Sequence, residues 1–144
     1  MSDRPLRLAI GSSALIGAGL AAYLVYVRHA EATLICASGG CETVQASRYA
    51  EIAGVPVALM GLAGYLVIFA TALGRGELVR LAQASFALAA FLFSAYLLYV
   101  QIRIIGALCY WCLASDAVTT GIAVLALLRL RSGSRTAAKE LVRL

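Results

Sequence analysis

The stretch LAIGSSALIGAGLAAYLVYV, residues 8–27, runs for about 20 positions without a charged side chain, which is the length that a helix needs to cross a bilayer. Three more apolar stretches of similar length follow, at residues 55–73, 81–100 and 104–128. The connections between the second, third and fourth stretches are short and force neighbouring helices to run antiparallel. The sequence therefore predicts an all-α integral membrane protein, in which residues 1–144 form a single four-transmembrane-helix bundle.

The composition indicates a lipid environment. Of the 144 residues, 62% are hydrophobic and 13% are charged, whereas a soluble domain averages about 45–50% and about 25%. A small core cannot hide this excess of apolar residues. The net charge of +5 does not indicate nucleic-acid binding, because the basic residues flank the apolar runs as membrane anchors do. We expect contact with the lipid bilayer and no nucleic-acid partner.

The basic residues also predict the orientation, because they collect on the cytoplasmic side of membrane proteins. Nine of the 12 lysines and arginines fall on one side of the four stretches: Arg4, Arg7, Arg75, Arg80, Arg129, Arg131, Arg135, Lys139 and Arg143. We therefore expect a multi-pass protein of the inner (plasma) membrane with both termini in the cytoplasm and residues 131–144 as a cytoplasmic tail. The long loop between helices 1 and 2, residues 28–54, is then extracytoplasmic.

This loop has predicted structure of its own. Gly39 and Gly40 make a turn, and Thr43 is a candidate N-cap for a short helix over residues 44–53. Gly54 and Pro56 then end that helix before the second spanning helix starts. We expect the short helix to lie on the membrane surface.

Four cysteines fall on the predicted outer side in two close pairs, Cys36 with Cys41 in the loop and Cys109 with Cys112 at the start of the fourth helix. That compartment permits disulfides. A helix N-terminus stabilises the thiolate that performs exchange, and the C-x-x-C pair lies at the lipid interface, where a lipid-soluble electron carrier can reach it. The loop pair flanks residues 37–40, which we expect to be mobile and water-exposed. It can therefore meet both a soluble partner and the membrane pair, and the pattern predicts electron transfer by thiol–disulfide exchange.

Three other interpretations of the four cysteines stay open. One is a non-enzymatic four-helix membrane protein with structural disulfides, such as a scaffold or a small-solute carrier. The second is a four-cysteine zinc site, and the third is a coincidence of buried cysteines. A C-x-x-C pair makes a poor structural bridge, and no zinc-ribbon sequence surrounds the cysteines. The redox interpretation is therefore favoured, and no metal is expected.

Taken together, the motifs resemble the vitamin K epoxide reductase family, specifically its prokaryotic members. The resemblance covers about residues 8–128. Its specific segments are Ser47-Arg48-Tyr49, Gly54-Val55-Pro56, Gly61-Leu62-x-Gly64-Tyr65 and Cys109-x-x-Cys112-Leu113-x-Ser115. A second bacterial membrane family with similar chemistry carries one cysteine pair in a longer second outer loop, for which the third connection here is too short. No fused thioredoxin-like domain is expected, so the resemblance implies a separate partner.

The resemblance implies a quinone-reducing thiol oxidoreductase. Cys109 and Cys112 would reduce a quinone of the ubiquinone, menaquinone or phylloquinone type, with Cys112 nearest the quinone ring. Cys36 and Cys41 would bring electrons from a secreted or membrane-anchored thioredoxin-like protein, which supports disulfide-bond formation. Ser47 matches a family serine near the active site that helps to position groups there.

Further residues are candidates for contact with the quinone. Vertebrate members have an asparagine and a tyrosine near the quinone carbonyls, at places that align with Val57 and Asp116 here, so vitamin K quinone or epoxide reduction is the less favoured role. Asp116 follows Cys112 by four residues on the same helix face, and an ionisable group in a membrane helix indicates function. One hypothesis is that it influences protonation of Cys112 or of the reduced quinone, and the other is that it only hydrogen-bonds in the bundle interior or at the interface. Tyr110 and Trp111 would either stack on the quinone or anchor the helix at the interface.

Overall fold

The computed structural model describes residues 3–36 and 39–143, apart from the side chains of residues 136 and 137. Residues 37–40 are predicted to be mobile, and the first two of them, 37 and 38, lie outside the described part. The elements in chain order are α1 Asp3–His29, α2 Gly40–Ala46, a 3-10 turn Arg48–Ala50, β1 Glu51–Ile52, β2 Val55–Pro56, α3 Val57–Leu73, α4 Glu77–Val100, a π-helical turn Gln101–Ile105 and α5 Tyr110–Arg143.

Long apolar helices make up most of the described chain. By length and composition, α1, α4 with its π-helical turn, and α5 can each cross a membrane. The remaining apolar helix, α3, has 17 residues, which corresponds to roughly 26 Å at about 1.5 Å per residue. The outer surfaces of these helices carry large apolar side chains, about half exposed, such as Leu15, Leu66, Leu92 and Val124. The predicted helical membrane protein is confirmed.

Close helix contacts depend on small residues. Helix α1 packs against both α3 and α5, and α4 packs against α5. A Cβ atom at Gly17 of α1 would lie 2.3 Å from the ring of Tyr65 in α3, so only glycine fits there. The Tyr65 hydroxyl shares hydrogen bonds of 2.7 Å and 2.8 Å with the hydroxyls of Ser115 and Thr119. This one side chain therefore ties α3 to α5 across the buried core.

A buried arginine fixes the end of the bundle where α1 begins. Arg129 of α5 is 1% exposed. Its Nε donates to Asp3 Oδ1 at 2.9 Å, its Nη1 to Gln83 Oε1 at 2.6 Å, and its Nη2 to the carbonyl of Gly74 at 2.9 Å. Each partner comes from a different part of the chain, so the network locks α1, the α3–α4 turn and α4 to α5. The four cysteines lie at the opposite end.

The loop between α1 and α3 differs from its prediction. The helix expected over residues 44–53 is wrong, because α2 ends at Ala46 and a two-stranded antiparallel hairpin occupies residues 51–56. Ala53 and Gly54 have positive φ values of 53° and 80°, which make the tight turn of that hairpin and stop any helix before it. Thr43 lies within α2, and Gly39 occupies the N-cap position.

The predicted ends of the long helices also change. A fourth helix from residue 104 is wrong at its start, because the π-helical turn extends α4 to Ile105 and Gly106, with φ of 69°, breaks the chain direction before α5 begins at Tyr110. Residues 131–143 of the predicted tail continue α5, since alanine, leucine, glutamate and lysine favour helix. Helices α1 and α4 begin at residues 3 and 77, because charged residues extend each helix beyond its apolar run.

Candidate active site

Both cysteine pairs come together where α5 begins. Cys36 and Cys41 form a disulfide in the loop between α1 and α3. Cys109 and Cys112 are free thiols at the first turn of α5. The described structure therefore has an oxidised loop pair beside a reduced pair at the helix.

The reduced pair has a defined hydrogen-bond pattern. The thiol of Cys112 donates to Cys109 Sγ at 2.8 Å, and the backbone N–H of Cys112 points to the same sulfur at 3.3 Å. The side chain of Gln101 accepts the Cys109 N–H at 3.1 Å, and Leu113 N–H donates to the Cys109 carbonyl at 2.9 Å. Two donors converge on the Cys109 sulfur at a helix N-terminus, an arrangement that stabilises a thiolate there.

The loop pair packs directly on this segment. Cys41, Val44 and Cys109 form one buried cluster, with Cys36 and Cys112 at its edge. Cys41, which directly follows the segment expected to be water-exposed, has 0% exposure, while Cys36 is half-buried. The cause is α2, which turns the second loop cysteine inward against the start of α5.

Glycine makes this close packing possible. A Cβ atom at Gly40 would lie 2.5 Å from the carbonyl oxygen of Leu108 and 3.2 Å from its backbone nitrogen. The backbone of the loop therefore rests on the backbone of the residue before Cys109. Any side chain at position 40 would push Cys41 away from Cys109.

Tyr110 and Trp111 lie apart from the cavity beside Cys112. The indole Nε1 of Trp111 donates to the carbonyl of Ile35 at 3.0 Å, and its ring lies 4.5 Å from the ring of Tyr23. Trp111 thus fastens the chain just before Cys36 to the start of α5. Tyr110 is 55% exposed. The structure brings neither aromatic ring into the wall of that cavity.

A cavity lies beside Cys112, among α1, the loop, α3, α4 and α5. Cys112, Asp116, Ser47 and Val57 all contribute to its wall, so three predicted quinone-contact residues meet the predicted terminal thiol. Apolar side chains form much of the rest, including Leu24, Val44, Leu97, Val100 and Ile105. Ser47 Oγ donates to the carbonyl of Val44 at 2.7 Å and so caps the last turn of α2.

Asp116 is the charged side chain of this wall. Ser94 Oγ donates a short hydrogen bond to its Oδ1. Its Oδ2 is buried without a hydrogen-bond partner within the ranges that the structure describes. A buried carboxyl oxygen with no partner is costly, and one on a cavity wall is available to a ligand.

Several residues of the site were missed in the sequence. Gln101 holds the Cys109 backbone and Ser94 holds Asp116. Both are polar residues in or next to an apolar helix, a signal that was visible. Gly40 and the Trp111 contact with Ile35 depend on tertiary packing and had no signal in the sequence.

The zinc alternative gains no support from the described ranges. Cys36 and Cys41 bind each other, and no group of three histidine, cysteine, aspartate or glutamate side chains in those ranges is arranged to hold a metal.

The comparison with known families agrees with the site. The model of the vitamin K epoxide reductase family matches residues 8–127, a range that includes all four cysteines and every residue of the cavity wall named above. This family suggests a membrane thiol oxidoreductase linked to quinones. The resemblance seen in the cysteine pairs and in the loop motifs is confirmed, and the chain belongs to the vitamin K epoxide reductase family.

Proposed function

We propose that this protein is a quinone-reducing thiol oxidoreductase of the inner membrane. It takes electrons from a thioredoxin-like protein on the outer face and so supports disulfide-bond formation. One observation carries the proposal: Cys112 contacts Cys109 at 2.8 Å and also forms part of the wall of an apolar cavity. The same sulfur can therefore reach both its redox partner and a lipid-soluble acceptor.

The membrane topology proposed here has four crossings. The roughly 26 Å estimated for α3 from its 17 residues approaches the hydrocarbon thickness of about 30 Å, a difference that a bilayer accommodates by thinning. Nine of the 12 basic residues belong to the termini and the second connection. Their cytoplasmic location would leave the cysteine end facing outward, with residues 1–144 as one membrane domain.

The wall of the cavity, around a free volume of about 100 Å³, suits the ring of a quinone as the electron-accepting substrate. A quinone has a flat apolar ring and two carbonyl oxygens that need hydrogen-bond donors on reduction. The apolar wall matches the ring. Asp116 Oδ2, which is buried without a partner among the described residues, can exchange a proton with a carbonyl or quinol oxygen. Ser47 and Val57 shape the same wall, as positioning residues.

The quinone step begins from the redox state of the structure. The two S–H bonds of Cys109 and Cys112 break and one S–S bond forms between them. The quinone gains the two electrons and two protons and leaves as quinol. In this step Cys112 Sγ bonds to the quinone, and the Cys109 thiolate, which the backbone N–H of Cys112 favours, then attacks Cys112 Sγ and releases the quinol.

The loop pair then restores the two thiols. A reduced Cys41, buried in the same cluster as Cys109, attacks the Cys109 sulfur and releases Cys112. Cys36 next attacks Cys41, which releases Cys109 and forms the loop disulfide. This exchange conserves electrons and ends in the state that the structure describes.

The outer partner should attack Cys36 first. Cys36 is half-buried, whereas Cys41 has no exposed surface. A partner thiolate would bond to Cys36 and release Cys41 as a thiol. The second partner thiol would then complete the partner's disulfide and leave the loop pair reduced.

Vitamin K epoxide reduction is the alternative within the family. Val57 offers no hydrogen-bond donor at the position of the vertebrate asparagine, and Asp116 replaces a tyrosine. These differences favour quinone reduction coupled to disulfide formation. A non-enzymatic protein with structural disulfides is the alternative from another class, and adjacent free thiols argue against it.

The test is quinone absorbance over time in detergent, with a fully substituted short-chain quinone and a small dithiol. The wild type should reduce quinone, and Cys112→Ser should not. A matched control is Cys36→Ser with Cys41→Ser, which should keep turnover with the small dithiol because that reductant reaches the membrane pair directly. If the wild type reduces no quinone in detergent or in lipid, the proposal is wrong and the structural-disulfide interpretation replaces it.

A further inference from the structure

A second groove lies at the end of the bundle opposite the cysteines, between the start of α1 and the end of α3. It encloses about 900 Å³, within the range of about 300–1,000 Å³ that small-molecule sites occupy. Its wall combines apolar with basic side chains, chiefly Leu8, Leu15, Phe69, Arg4, Arg7 and Arg75. The groove contains no residue of the cavity beside Cys112.

The groove is ordered along α1. Arg4, Leu8, Gly11 and Leu15 follow one another at intervals of three or four residues, so they share one face of the helix. From position 4 to position 15 the helix rises roughly 16 Å. One leaflet of a bilayer has a hydrocarbon depth of about 15 Å, half of about 30 Å. The groove therefore has basic residues at the end that is farther from the bilayer centre, and apolar residues to the depth of one leaflet.

The basic end of the groove carries uncompensated positive charge. Arg4 and Arg75 are exposed, and neither takes part in an ion pair with any other residue that the structure describes. Arg7 donates to backbone carbonyls at the end of α3 and holds the two helices together. The acidic side chain of this wall, Asp3, has its Oδ1 engaged by buried Arg129 at 2.9 Å.

We propose that this groove is a specific site for one anionic phospholipid. The phosphate lies between Arg4 and Arg75, and one acyl chain packs against Leu8, Leu15 and Phe69. A free phosphate would use only the basic end, whereas the leaflet-deep apolar wall fits the acyl chain of a lipid. The site does not depend on the redox function.

The experiment is native mass spectrometry of the purified protein in detergent, titrated with phosphatidylglycerol or with phosphatidylcholine of the same chains. The wild type should retain one phosphatidylglycerol in preference to phosphatidylcholine. Arg4→Gln with Arg75→Gln should weaken phosphatidylglycerol binding by roughly tenfold or more, since each basic residue near a membrane surface contributes about fivefold. The matched control is Arg131→Gln with Arg135→Gln, which removes two exposed charges from α5 outside the groove and should leave binding unchanged.

A second variant tests the apolar part. Ser12 is exposed on the groove wall, and Ser12→Trp would fill the path of the acyl chain while it keeps the arginines. It should weaken phosphatidylglycerol binding by roughly tenfold. The proposal is overturned if the wild type does not distinguish the two lipids, if the control pair loses as much affinity as the groove pair, or if Ser12→Trp binds as the wild type does. Displacement of the lipid by millimolar inorganic phosphate would also overturn it, because the groove would then be a simple anion site.

Discussion

Gly40→Ala should separate the two cysteine pairs without altering either pair. The added Cβ would meet the Leu108 carbonyl oxygen at 2.5 Å and its nitrogen at 3.2 Å, and both are backbone atoms that cannot rotate away. The loop must retreat by about 0.9 Å for the 2.5 Å contact to reach the 3.4 Å of ordinary van der Waals distance. A misplacement of about 1 Å between reacting groups costs on the order of 100-fold in rate. Transfer from Cys41 to Cys109 should slow by that factor.

The assay needs no partner protein. Fully reduced protein, freed of dithiol, is mixed in a stopped-flow instrument with an excess of a fully substituted short-chain quinone. The first quinol reports oxidation of Cys109 and Cys112. The second quinol requires electrons from Cys36 and Cys41, so its phase reports transfer between the pairs.

Gly40→Ala should leave the first phase within about twofold of the wild type and slow the second by roughly 100-fold. Gly19→Ala is the matched control, because a Cβ at Gly19 meets no atom within 4 Å. If the second phase of Gly40→Ala equals that of Gly19→Ala, close seating of the loop on Leu108 is not what couples the pairs.

Three more predictions concern single contacts. Asp116→Asn keeps a partner for Ser94 but loses the exchangeable proton, so quinone turnover should fall by roughly 100-fold. Unchanged turnover across pH would remove Asp116 from the mechanism. Trp111→Phe loses the indole hydrogen bond, which is worth about 1 kcal/mol, so alkylation of the loop thiols in reduced protein should accelerate about fivefold. An unchanged alkylation rate would show that the indole does not restrain the loop. Arg129→Met leaves the buried Gln83 and other acceptors unsatisfied and should lower the free energy of unfolding by about 3 kcal/mol. Chemical denaturation in detergent measures this free energy. The control Arg131→Met, at an exposed position, should change it by less than about 0.5 kcal/mol.

The cysteine site was largely predictable because its thiols belong to few residues at short spacing. C-x-x-C at a helix start brings Cys109 and Cys112 together whatever the remaining packing is. The i, i+4 relation likewise puts Asp116 and Cys112 on one face, and both belong to the cavity wall. Apolar runs identified the long helices, although charged residues at positions 3 and 77 extend two of them.

The arrangement of the loop was not predictable in the same way. Cys41 is buried because α2 folds back onto residues 107–109, a contact between segments more than 60 positions apart. The hairpin at residues 51–56 depends on positive φ at Ala53, a non-glycine residue in which that conformation is uncommon. Trp111 is an interface residue by type, but its hydrogen bond to Ile35 follows from the path of the loop.

The most direct test of electron flow from thiols to quinone is a single turnover from the state that the structure describes. Protein with Cys36 bridged to Cys41 and with Cys109 and Cys112 free is mixed anaerobically with a short-chain quinone and no added dithiol. Quinol is measured by absorbance, and free thiols by alkylation and mass spectrometry. The account predicts one quinol per protein and a new disulfide between Cys109 and Cys112. Absence of quinol, with both thiols still open to alkylation, would contradict it.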